Sequence, residues 1–191
     1  VTIGTPTIAA SSIVIPITSG NLNIPDADAS TVSMYIYLKS SGLTDNQVLE
    51  FKVDATASSH GFTADATGST FSATFTSAPV SKQIFVDVVA TKFNFFTQPS
   101  NTTVNTNFSA AVEALDANNN RDLDATTSVT LSANIGTLSS VSGLTQNLVS
   151  GIYSWSDLQN NTAGTAVILS ANGTLTVANS NSITILSNQP T

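Results

Sequence analysis

The sequence predicts an all-β chain folded as two consecutive antiparallel β-sandwiches, and three observations carry that reading. Apolar and polar residues alternate with a period of two in nearly every apolar run, the pattern of strands with one buried face. Thr, Ser, Asn and Val dominate; all disfavour helix interiors, and no run keeps the three-and-four apolar spacing of a helix. The third observation is a repeat. Apolar runs at 1–3, 93–96 and 183–186 lead into Thr5-Pro6-Thr7, Gln98-Pro99-Ser100 and Gln189-Pro190-Thr191, with prolines 93 and 91 residues apart. That interval is about one sandwich long. Domains of residues 1–92 and 93–191 follow, and residues 189–191 would open a third, so the chain reads as a mature fragment of a tandem array.

In the first domain, strands are expected near 7–10, 13–18, 31–39, 47–53, 60–64, 70–76 and 82–91. Val32, Met34, Ile36 and Leu38 point inward in one of the two best runs, and Ile84, Val86 and Val88 in the other. Pro16 restricts its run to an edge or a bulge, because proline offers no N–H to a ladder. Residues 21–30, with Pro25, Asp26 and Asp28, form a polar loop. In the second domain, strands are expected near 93–97, 108–115, 127–133, 146–149, 152–156, 164–171, 174–178 and 181–186. Phe108, Ala110, Val112 and Ala114 alternate with Ser109, Glu113 and Leu115, then the acidic turn 116–124 interrupts, then Val129, Leu131 and Ala133 resume. Ser150-Gly151 separates two apolar runs as a hairpin turn does. The domains meet at residues 89–94, which contain neither glycine nor proline, so the joint is short and stiff.

Composition excludes several classes of function. Five Lys and Arg against twelve Asp and Glu leave a net charge of −7, so nucleic acid and anionic membrane are not expected partners. The absence of cysteine excludes disulfides, thiol nucleophiles and cysteine-ligated metals. Charged residues are only 9% of the chain, and hydroxyls and amides take their place on the surface. No apolar run approaches the ~18 residues of a membrane helix.

Residues 98–100, 108–118, 128–133, 135–138, 151–158, 164–171 and 182–185 together resemble a bacterial immunoglobulin-like domain, similar to the invasin and intimin type and to domains of large secreted Bacteroidetes proteins. The likeness covers residues 93–187. It departs from the family's Asp-x-x-Gly-Asn hairpin at Asn118-Asn119-Asn120, so asparagine must supply any left-handed residue there. Residues 1–92 read as a second immunoglobulin-like or fibronectin-like sandwich. The resemblance implies an extracellular or cell-surface module that spaces or presents other domains, and it implies no catalytic residues.

His60 is the single histidine and stands in a glycine-bearing turn; without a second histidine or an activated serine it suggests no catalysis. No carboxylate pair can be singled out for glycoside hydrolysis. Tyr35 and Tyr37 share one strand face and Tyr153 and Trp155 another, so exposed rings could offer a sugar-stacking platform; the alternative puts Trp155 in the core and the tyrosines on a covered face. The four sequons at Asn101, Asn107, Asn160 and Asn172 are what so much Asn, Ser and Thr produces by chance. Asp116, Asn118, Asn120, Asp122 and Asp124 fall at every second position, the spacing with which calcium loops begin. Arg121 in place of glycine and Thr127 in place of glutamate exclude a full EF-hand. A partial Ca²⁺ site completed by Asp157 or by carbonyls is one reading of the stretch, and a solvated turn is the other.

The expectation for function is a non-enzymatic structural or adhesive spacer of a secreted or cell-surface bacterial multidomain protein. Its partners would be neighbouring domains of the same polypeptide, with an extracellular protein or polysaccharide as the class of any further ligand and no membrane insertion. A carbohydrate-binding accessory module and a surface-layer subunit are the alternatives.

Overall fold

A computed structural model describes residues 4–9, 12–16, 33, 35–52 and 81–188. Among them the chain is all-β and without helix. The strands are β1 (Thr7–Ile8), β2 (Ile13–Val14), β3 (Val48–Leu49), β4 (Ile84–Phe85), β5 (Lys92–Thr97), β6 (Thr102–Thr103), β7 (Phe108–Leu115), β8 (Ser128–Ala133), β9 (Leu138–Ser139), β10 (Thr145–Asn147), β11 (Ile152–Asn160), β12 (Gly164–Val167), β13 (Leu169–Gly173), β14 (Ala178–Asn179) and β15 (Ile183–Leu186). The chain divides into two compact units, Val1–Leu38 and Lys39–Thr191.

In the first unit β1 and β2 pair antiparallel, with Thr7 opposite Val14. Pairing stops at Val14, short of Pro16, and the Pro16 carbonyl accepts the Gly4 N–H at 2.9 Å. The strand expected over 31–39 is not formed at residue 33 or at 35–39, which belong to no ladder, and Ile36 and Leu38 are exposed where they were expected to point inward. Alternation marks a face that can be buried; a strand also needs a hydrogen-bonding neighbour, and none pairs with these residues among those described. Val32, Met34, His60, the loop 21–30 and the strands expected at 60–64 and 70–76 lie outside the described residues.

In the second unit β3 and β4 pair antiparallel. The other strands build a sandwich-type body from two four-stranded sheets, ordered β5-β7-β11-β9 and β10-β8-β13-β14, with a three-stranded sheet β12-β15-β6. The last contains a parallel pair, β15 with β6. Facing side chains of these sheets make one core around Phe93, Phe95, Phe108, Val112, Val129, Leu131, Trp155, Leu158, Leu169 and Ile185. The strands expected at 93–97, 108–115 and 127–133 are present to within a residue or two. Ser150 and Gly151 have φ of 52° and 71°, and Val149 and Ile152 exchange both backbone hydrogen bonds. That is the left-handed two-residue hairpin the dipeptide predicts.

Two departures from strict alternation matter. In β11 the register slips between Trp155, opposite Ala110, and Leu158, opposite Phe108. The extra residue of this bulge lets side chains three apart both enter the core. In β7 the second face is covered as well: Ala111, Glu113 and Leu115 are buried along with the alternating set. Glu113 can lie there because Asn94 donates to Oε1 at 2.9 Å and the Arg121 Nε donates to Oε2 at 2.8 Å.

Candidate functional site

Of the buried polar groups of the second unit, Asn120 and Asp122 belong to the turn from Asp116 to Asp124, and Glu113 and Asp45 bond to it. It opens with an aspartate satisfying the backbone of its own turn: Asp116 Oδ1 accepts the N–H groups of Asn118 and Asn120 at 2.8 Å each, and Oδ2 accepts Asn120 Nδ2 at 2.7 Å. Burial, the largest single influence on this carboxyl, pushes its pKa up, but the bonds from Asn120 and Asn118 and the charge of Lys92 together bring it below its ordinary value. Asn119 takes the left-handed conformation, φ 68°, as the asparagine-filled hairpin requires. Arg121 then folds back over β7, paired with Glu113, with its guanidinium carbon 4.8 Å from the Phe96 ring centroid.

Two distant segments dock on this turn. Buried Asn120 donates from Nδ2 to the Ser40 carbonyl at 2.9 Å and accepts the Leu43 N–H on Oδ1 at 3.0 Å. Asp122 accepts the Ala90 N–H on Oδ2 at 2.8 Å. Asp45, in the docked segment, is 3% exposed; its Oδ1 accepts the N–H of Val88 at 2.8 Å and of Asn46 at 2.9 Å. Asp45 Oδ2 accepts the Leu123 N–H at 2.7 Å and Asn46 Nδ2 at 3.3 Å. Two carboxylates, Asp45 and Asp122, and one amide, Asn120, thus fasten residues 40–46 and 88–90 to the edge of the sandwich. Beside this joint a shallow groove of about 360 Å³ opens, lined in part by Leu43, Asp45, Phe96, Arg121 and Leu123.

Asp122 is placed by the backbone around it. Its N–H donates to the Ala114 carbonyl at 3.2 Å, and the Ala114 N–H donates to the Gly151 carbonyl at 2.8 Å. A Cβ on Gly151 would fall on the Asp122 carbonyl oxygen, so only glycine lets the turn close against the 150–151 hairpin.

Asp45, Asp122 and Asp124 can each present an oxygen such that all three lie within 4.8 Å of one another. The Asp122 carboxyl, first by direct contact and then as a like charge, raises the pKa of Asp124; burial and the charges of Asp45 and Asp87 add to the rise. Among the described residues, which include all five lysines and arginines, the ion pairs are Lys52–Glu50 and Arg121–Glu113. Neither compensates this cluster.

The structure therefore brings together two of the five ligands expected from spacing, Asp122 and Asp124. Asp116 and Asn120 are committed to the turn and its docked segment, and Asn118 is exposed. Every-second spacing converges on an ion only if the loop wraps around it. Here Asn119 reverses the chain and Leu115 pairs with Arg121, which separates the early residues from the late ones. Asp157 does not complete the site; it accepts the Ser142 N–H at 2.9 Å and the Ser140 hydroxyl at 2.8 Å. Sequence reasoning missed Asp45, whose only local signal is an Asp-Asn pair in a polar turn.

The aromatic platform is corrected in half. Trp155 is 1% exposed, donates from Nε1 to the Gly143 carbonyl at 3.0 Å and meets the half-buried Tyr153 edge-on at 4.7 Å between ring centroids. The bulge at 155–158 turns the indole into the core, so it cannot stack on a sugar. Tyr35 and Tyr37 are 80% and 89% exposed. Of the sequon asparagines, Asn160 is fully buried, with Nδ2 donated to the Ile135 carbonyl at 2.8 Å. In comparisons with known proteins, no family model matches the chain and no curated protein matches it.

Proposed function

We propose that the chain is a non-enzymatic structural module, an immunoglobulin-like spacer of a secreted or cell-surface multidomain protein. The observation that carries this reading is the joint at residues 116–124. Five backbone N–H or carbonyl groups, from Ser40, Leu43, Val88, Ala90 and Leu123, are held by the side chains of Asn120, Asp122 and Asp45. Side chains that fasten neighbouring segments to the edge of a β-body transmit force and fix orientation, which is what a spacer must do and a flexible tether cannot.

The strand order supports the immunoglobulin-like part. In chain order β5, β7 and β11 take the places of strands A, B and E in one sheet, and β8, β13 and β14 those of C, F and G in the other. The low charge and the surface of hydroxyls and amides support the extracellular setting. Amide hydrogen exchange tests the stiff joint: Leu43, Val88, Ala90 and Leu123 should be protected nearly as well as β7 in chelator-treated protein. Exchange of these four amides at the rate of free loops would overturn the reading.

A second reading keeps the exposed pair Tyr35 and Tyr37 as a carbohydrate contact. Glycan-array binding that disappears in Tyr37→Ala would favour it over the spacer.

A further inference from the structure

The carboxylate cluster carries an inference of its own, independent of the spacer role. Asp122 is 7% exposed, and while its Oδ2 is bonded to Ala90, its Oδ1 is buried with no hydrogen-bond partner among the described residues. An anionic oxygen so placed is strongly disfavoured unless a cation or donor meets it. Two further carboxylates stand within 4.8 Å rather than a donor, and none of the five lysines and arginines forms an ion pair with them. Buried charge of one sign, a vacant lone pair and converging oxygens from separate segments describe a seat for a cation.

We infer that Asp122, Asp124 and Asp45 bind a calcium ion that locks residues 45 and 87–90 onto the 122–124 end of the turn. Asp122 Oδ1 is the fixed ligand. Asp124, exposed and beside Asp122, supplies one or two oxygens. Asp45 already accepts four hydrogen bonds, filling its lone pairs; it joins the ion by releasing the longest of them, the 3.3 Å bond from Asn46 Nδ2, or else acts through its charge. Carbonyls and water complete the shell. Calcium is favoured over magnesium because oxygens up to 4.8 Å apart are bridged by two bonds of about 2.4 Å, whereas Mg²⁺ needs about 2.1 Å and a regular octahedron that these irregular segments do not offer. Nitrogen and sulfur ligands are absent from the cluster, which excludes a preference for zinc or copper.

The test uses the whole chain, stripped with chelator and titrated with CaCl₂ in a calorimeter, with melting curves recorded alongside. Ca²⁺ should bind with measurable heat and raise the Tm, and Mg²⁺ at the same concentration should raise it less. Asp124→Asn changes an exposed side chain and so keeps the fold; it should weaken Ca²⁺ binding about tenfold or more, while Glu50→Gln, an exposed carboxylate paired with Lys52, should leave it unchanged. Superimposable melting curves in chelator and in millimolar Ca²⁺ with no heat of binding, or equal Ca²⁺ affinity in wild type and Asp124→Asn, would overturn the inference. Neither result touches the spacer reading, whose amide-exchange test is made without calcium.

Discussion

Gly151 and Asp157 show how single residues hold this edge of the sandwich. Gly151 has φ 71° and no room for a Cβ against the Asp122 carbonyl. Gly151→Ala should therefore cost about 2 kcal/mol or more, through left-handed strain and displacement of the 121–122 backbone together. A urea melt measures it, and a loss under about 0.5 kcal/mol would show that the turn moves freely. Asp157 is held below its ordinary pKa first by the Ser142 N–H and then by the Ser140 hydroxyl, against some burial. Because the folded value lies below the unfolded one, its contribution is complete above an unfolded aspartate's value of about 3.9 and is lost as pH falls through the folded value. The Tm of the wild type should fall more steeply below about pH 4 than that of Asp157→Asn; parallel curves would mean the turn at 140–143 gains nothing from the charge.

At the scale of the element, β11 decides what the aromatic residues are for. A regular strand would alternate through 152–160, putting Trp155 and Leu158 on opposite faces; the bulge puts both inside. Trp155→Ala should cost about 3–5 kcal/mol, the usual range for deleting a large buried aromatic. The native indole should emit as a buried one that iodide quenches slowly. Fast quenching, or stability within about 1 kcal/mol of wild type, would contradict the packing around Gly143 and Tyr153. The hairpin at 150–151 was legible because its turn chemistry is local. The bulge was not, since an extra residue inside an alternating run leaves no mark in composition.

For the whole molecule, the question is what the sandwich needs from the segments docked on it. Every fully buried residue of the hydrophobic cluster that fills it lies between Phe93 and Ile185, while Ala90 packs against that cluster and Val86 and Val88 are buried outside it. A chain beginning at Lys92 should therefore fold, but with Asp122 Oδ2 and Asn120 deprived of the partners at residues 90, 43 and 40. At about 0.5–1.5 kcal/mol for each lost hydrogen bond it should be a few kcal/mol less stable than the full chain. Circular dichroism and a chemical melt decide this; an unfolded fragment would mean that the expected boundary at residue 92 cuts through one cooperative body, and an unchanged midpoint that the joint contributes nothing.

The all-β class, the strands β5, β7 and β8, the hairpin at Ser150-Gly151 and asparagine as the left-handed residue of the acidic turn follow from the sequence by itself, because alternation, turn chemistry and backbone preference act over fewer than about ten residues. The acidic stretch was legible as a turn and as a source of oxygen ligands for the same reason. Which of its oxygens converge was settled only by tertiary structure. Asp122 and Asp124 meet Asp45, 77 and 79 residues earlier, while Asp116, nearer in the chain, is consumed by its own turn. Distance in sequence sets no limit on contact once sheets have closed, and a carboxylate's role depends on which donors reach it first. In Asp116 every such donor is local; in Asp122 one oxygen is satisfied by a distant backbone and the other by none.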